Sequence, residues 1–215
     1  MSSETTLRDG SRTAGRARGR PREFDVDEVL DRIVELFWVQ GFEATSMSDI
    51  VEATGLNKSS LYNSFGSKEE LFQTALDRYT SMRERLIRAG LRDGSAGLDD
   101  IMTFLDMVEI EMIGPAGSRG CMAVNTSNEL GHCDDAIAQM GSHFRGEMRS
   151  SIGATLDRAA ARGEIEATGV EHRTEMFVAF MLSLGVVARS GAPRRELDGM
   201  LAAVRALVDS WRIEN

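Results

Sequence analysis

Positive charge in this chain is concentrated in a few places. Arg12, Arg16, Arg18, Arg20 and Arg22 fall between Gly10 and Arg22 with no Asp or Glu among them, in a chain whose formal net charge is −9. Guanidinium groups at that density either hold a polyanion or form a solvated tail. Lysine occurs twice, at Lys58 and Lys68, and both lie in an acid-free window from Ala53 to Lys68. Beside Lys58 stand Ser59, Ser60, Tyr62 and Asn63, whose hydroxyl and amide groups both donate and accept hydrogen bonds. Cys121 follows Arg119-Gly120 at an expected helix start. A cation and free backbone N–H groups lower a thiol pKa, so a reactive sensing thiolate and an inert buried cysteine both stand as readings. His132-Cys133-Asp134 has the residue types of a metal site, but adjacent residues seldom converge on one ion and no partner cluster is visible. No metal and no cofactor is expected.

The bulk numbers limit the setting. At 215 residues, 42% hydrophobic and 27% charged, the chain has the balance of a soluble protein with one sizeable core or two modest ones. No apolar run approaches the roughly 18 residues that cross a bilayer, and the start lacks the apolar segment of a signal peptide. Two cysteines cannot build a disulfide framework, so a reduced, cytoplasmic setting is expected. Acid is uneven: nine basic residues face eleven acidic ones up to position 68, and sixteen face twenty-three beyond it.

The elements that must position these groups all read as helices; no stretch alternates like a strand. Asp25 with Glu28 reads as a capping box opening a first helix, with Val26, Val29, Leu30, Ile33 and Phe37 on one face and Gly41 as its end. Ser46 with Asp49 opens a short second helix, Gly55 turns the chain, and Asn57 caps a third from about Lys58 to Phe65. In that third helix Leu61 and Phe65 share one face and should pack inward, leaving Lys58, Ser59, Ser60, Tyr62 and Asn63 on or beside the other. Two short helices joined by a glycine turn describe a helix-turn-helix. Ser67 with Glu70 opens a long fourth helix to about Arg88. Further helices are expected over about 98–113, 121–130, 134–162, 171–190 and 194–211. The last repeats Leu197, Leu201, Val204, Val208 and Trp211 at alternating spacings of four and three, a narrow coiled-coil-like seam. The fold class is all-α.

Residues 29–72 resemble the N-terminal DNA-binding region of the tetracycline-repressor (TetR) family. The elements that carry the resemblance are Gly41-Phe42, Thr45-Ser46 ahead of Ile50, Gly55, Leu61-Tyr62 with Phe65, and Ser67-Lys68-Glu69-Glu70-Leu71. "RGCMAVNTSNEL" (119–130) matches a pattern of some branches. The resemblance implies a flexible basic arm (1–22), a helix-turn-helix domain (23–68) and a helical ligand-binding and dimerisation domain (69–215). It implies base-edge contacts from Ser59, Ser60 and Asn63, and phosphate contacts from Thr45, Lys58, Tyr62 and Lys68. "RGRP" at 18–21 resembles the core of an AT-hook, which would lay Arg18 and Arg20, with Arg22 beside them, in a narrow minor groove.

By the same resemblance the C-terminal helices hold a small-molecule inducer, with Met102, Leu105, Val108, Met112, Cys121, Met122, Asn125, Phe144 and Phe177 as candidate contacts. Met107 and Met140 fall among the same helices, and methionine lines adaptable surfaces as well as ordinary cores. Met181, Leu184 and the Leu197–Trp211 seam are the candidate dimer interface, against the alternative of an intramolecular core. A twofold dimer implies a roughly palindromic operator in double-stranded DNA. The expected function is a ligand-responsive repressor and not an enzyme. The alternatives are an architectural binder of A·T-rich DNA, or a thiol-dependent enzyme for which no triad order or phosphate-binding glycine loop is present.

Overall fold

The computed structural model describes residues 24–114 and 117–213, so Arg18, Arg20 and Arg22 lie outside the described residues. Among these residues the chain forms α1 (Val26–Gln40), α2 (Met47–Thr54), α3 (Lys58–Phe65), α4 (Lys68–Ile87), α5 (Leu98–Ile113), α6 (Met122–Leu130), α7 (Asp135–Ala161), α8 (Val170–Arg189) and α9 (Arg194–Asp209). Among the described residues, backbone pairing of strand type is confined to one isolated bridge, Ile165 to Arg212.

Local chemistry fixes the helix starts. Ser46 and Asp49 bond reciprocally at α2, as Ser67 and Glu70 do at α4, and Asn57 accepts from Ser60 N at 2.8 Å to open α3. At α1 Asp25 accepts from the N–H groups of Asp27 and Glu28, but Glu28 does not reach back. Its carboxylate pairs instead with Arg32 one turn on. Gly55 takes the left-handed φ of +72° that the α2–α3 turn requires.

The head is α1–α3 closed by the first half of α4. Ile33, Ile50 and Leu61 are fully buried, and Phe72 of α4 packs edge-on against Phe37 of α1 at 4.9 Å. The expected boundary at 68 therefore falls at the start of a helix that serves both halves. After Ile87 the backbone widens into a π-type turn over Arg88–Arg92, with Leu91 buried beneath it. In the C-terminal half α7 runs along α8, and α9 packs on α5 and α8.

The α9 seam corrects an expectation. Leu197, Leu201, Val204, Val208 and Trp211 are all buried within the protomer, Leu201 at 2% exposure. An apolar stripe spent on its own core has no surface to give a partner. Leu184 is likewise buried and Met181 only half-exposed. Among the exposed residues of α9, Arg195, Gly199, Ala202, Ala206 and Asp209 form one stripe beside Arg194, Glu196 and Ala203, and on α8 His172, Met176, Ala179, Ser183 and Val186 form another beside Glu171, Glu175 and Arg189. Both sets step by four and three, so each forms one face of its helix.

Candidate nucleic-acid interface

The inward anchor of α3 is Leu61, at 0% exposure; Phe65 is half-buried and faces Phe24 at 6.4 Å. With those two turned in, the 3.6-residue period puts Lys58, Ser59, Tyr62 and Asn63 in solvent and leaves Ser60 half-exposed beside them. Tyr62 is 49% exposed, an unusual position for a large aromatic ring. Asn63 Nδ2 reaches Ser59 Oγ at 3.4 Å, one turn apart and weak enough to give way to a base edge. The face thus offers an ammonium, hydroxyls and an amide with no carboxylate among them. Behind it, hydrogen bonds from the Ser46 side chain and backbone hold the Asp49 carboxyl below its ordinary range, with Lys68 adding a smaller pull.

Two expected phosphate contacts are placed differently. Thr45 is 1% exposed, and its hydroxyl donates to the Gly41 carbonyl at 2.7 Å. It ties the α1–α2 turn from inside and cannot touch DNA from there. Lys68 is half-buried, its ammonium 4.2 Å from the centre of the Phe42 ring, a cation–π contact that fixes the side chain at the start of α4.

In the C-terminal half the expected inducer contacts are divided. Leu105, Val108 and Phe177 are core residues. Met102 and Met112 are half-buried against that core, and Met107 projects into solvent. Phe144 lines an open groove of about 210 Å³ between α6, α7 and α8, whereas Met122 and Asn125 line a cleft of about 390 Å³ beside the head. Cys121 is the N-cap residue of α6 and forms no cap bond through its sulfur. Tyr79, from α4, does the capping: its hydroxyl accepts from Met122 N at 3.2 Å and lies 3.7 Å from the Cys121 sulfur. Burial, and then the neighbouring thiol, push the Tyr79 phenol well above its ordinary range. Arg83, one turn on, holds Glu111 through two bonds of 2.7 and 2.8 Å, and its buried Nε has no partner among the described residues. Among the described residues no three His, Cys, Asp or Glu side chains are grouped as a metal would need, and no helix is long and apolar enough to cross a membrane.

Sequence reading missed Tyr79, Trp38, Glu129 and Arg189 as residues that join the halves. Trp38 Nε1 donates to Gly120 O at 3.0 Å, and its ring packs on Tyr79 at 5.1 Å. Partners 41 to 151 residues apart leave no periodic trace, so no local signal marks them.

Comparison with known proteins agrees with this geometry. The family model for bacterial regulatory proteins of the tetR family matches residues 29–75. The HTH-type transcriptional repressor ComR of Escherichia coli is 31% identical over 201 residues, which cover 88% of this chain and 91% of that protein. A cysteine-substituted variant of the TetR-family regulator CifR, solved with a 26-bp double-strand operator DNA, is 30% identical with a TM-score of 0.77, covering 90% of this chain and all of that one. A TetR regulator from Chloroflexus aurantiacus superposes with the same TM-score at 26% identity, over 87% of this chain and 96% of that one. Matched along nearly its whole length, with a polar third helix held outward on a buried leucine, the chain belongs to the TetR family of bacterial transcriptional regulators.

Proposed function

We propose that the chain is a homodimeric repressor that reads a roughly palindromic operator through α3 and releases it when a small molecule binds among the C-terminal helices. The observation that supports this most is the split of α3 into a buried Leu61 side and an acid-free polar side. CifR, a relative at 30% identity, is seen on operator DNA. Ser59, Ser60 and Asn63 read base edges, Lys58 and Tyr62 hold phosphates, and Lys68, steadied on Phe42, supports the register. Arg18, Arg20 and Arg22 follow the minor groove. The outward faces of α8 and α9, centred on Ala179, Ser183, Gly199, Ala202 and Ala206, meet their twofold mates, since small residues let helices approach closely. The inducer touches the half-buried Met102, Met112, Cys121 and Asn125. Such a regulator works where the chromosome is, in the cytoplasm, and performs no catalysis.

Selection from a random duplex pool tests the reading. The wild-type protein should enrich a discrete sequence with twofold symmetry and protect it in a footprint. Unphased coating of A·T-rich DNA would instead make it an architectural binder. Deleting residues 1–22 should weaken binding to all sequences and flatten the salt dependence; an unchanged salt slope removes the arm from the interface.

A further inference from the structure

Two charged side chains from the regulatory half grip the DNA-binding head. Glu129, in the last turn of α6, accepts from the backbone N–H of Phe42 at 3.3 Å and of Glu43 at 3.0 Å. Arg189, the last residue of α8, donates to the carbonyls of Trp38 at 3.3 Å and Val39 at 2.9 Å. The anion thus sits on free N–H groups ahead of α2. The cation sits on the orphan carbonyls closing α1, where the helix dipole favours it. Gly41 lies between, at a φ of +85°, and a Cβ there would come within 2.8 Å of a Glu129 oxygen. Arg119 adds an ion pair to Glu35 and lies over the Trp38 ring at 5.4 Å. Every one of these links ends on residues 35–43, the segment that leads into the helix-turn-helix. Helix α6 therefore has both ends committed, Met122 N to Tyr79 in the core and Glu129 to the head.

We infer that Glu129 and Arg189 are positioning residues for operator recognition. They set the angle at which α1, and with it α2 and α3, leaves the regulatory half. The inference rests on the regulator reading above and adds to it the residues that couple the two halves. Neither side chain needs to touch DNA.

The test uses full-length Glu129→Ala, Glu129→Gln, Arg189→Ala and Arg189→Lys proteins and the duplex that the wild type selects from a random pool. In both alanine variants affinity for that duplex should fall about tenfold or more, tenfold being close to the worth of one charge-assisted hydrogen bond. Affinity for an unrelated duplex and the salt slope should hold, because no phosphate contact is removed. Amide exchange at Phe42 and Glu43 should quicken in E129A, and the Gln variant, which keeps one carbonyl acceptor, should lose less than Ala. Unchanged exchange and unchanged selected-duplex affinity in the alanine variants overturn the inference, as does an equal loss on both duplexes. Should an alanine variant fail to fold, its Gln or Lys counterpart is read by the same criteria. If the wild type enriches no duplex at all, the regulator reading itself fails, an outcome distinct from failure of the grip.

Discussion

Helices α3 and α9 each bury an apolar stripe and differ in the face they leave outside. Each carries an apolar stripe, Leu61 with Phe65 in one and Leu197, Leu201, Val204 and Val208 in the other, and in both the stripe turns into the protomer. The outer face of α3 is polar and acid-free, suited to a duplex; that of α9 is small, with Gly199, Ala202 and Ala206, suited to another helix. Amphipathic spacing says which face is buried, but not whether the covering surface comes from the same chain or a second copy. For α9 the cover is α5 and α8.

Cutting either stripe should have the largest effect. Leu61→Ala and Leu201→Ala should each destabilise the protomer by about 2–5 kcal/mol, a large share of the roughly 5–15 kcal/mol a domain possesses. Urea unfolding measures it. If Leu201 belonged to a subunit interface, the loss would shrink steeply as protein concentration rises; burial inside the protomer predicts that most of it persists. Ala206→Glu is the counterpart on the outer face. It should leave the protomer's helical signal intact while shifting dimers toward monomers in sedimentation, because a carboxylate would be forced into a close helix contact. A dimer that survives the change would place the interface elsewhere.

The DNA face has its own graded test. Asn63→Ala should cost about 1–3 kcal/mol at its cognate base pair and relax selectivity there. Lys58→Ala should weaken all duplexes alike and lower the salt slope by about one. Competition binding over several salt concentrations separates the two, and exchanged phenotypes would reverse the assigned roles. Thr45→Val removes the buried hydroxyl that ties the α1–α2 turn. It should lower stability by about 1–3 kcal/mol, by leaving the Gly41 carbonyl short of its donor, without changing the salt slope.

How much was legible follows the range of the interactions. The capping residues Ser46, Asn57 and Ser67 and the inward turn of Leu61 follow from neighbours within four positions, and the structure has them as read. Glu28 had two local options, a box with Asp25 or a pair with Arg32, and sequence alone does not rank them. Thr45 reads as an exposed hydroxyl because the Gly41 carbonyl it satisfies is freed only once α1 ends. The grip of Glu129 and Arg189 was invisible, since each bonds to backbone groups that carry no side-chain signature.

The smallest expected effect is in the capping box of α2, the element that seats α3. Ser46→Ala should cost about 1 kcal/mol of head stability. The Asp49 half of the box depends on pH in a direction its depressed pKa fixes. A carboxyl held below its ordinary value of 3.8 stabilises the fold while ionised, so its contribution is complete above that value and is lost as pH falls through the lower, folded-state pKa. In Asp49→Asn the thermal midpoint should sit below wild type near neutrality, and the gap should close on acidification below 3.8. The carboxyl is only partly covered, so salt should also narrow the gap. A difference constant across that range would mean that the box acts through geometry alone, and that the charge of Asp49 plays no part in holding α2 beneath the DNA-reading helix.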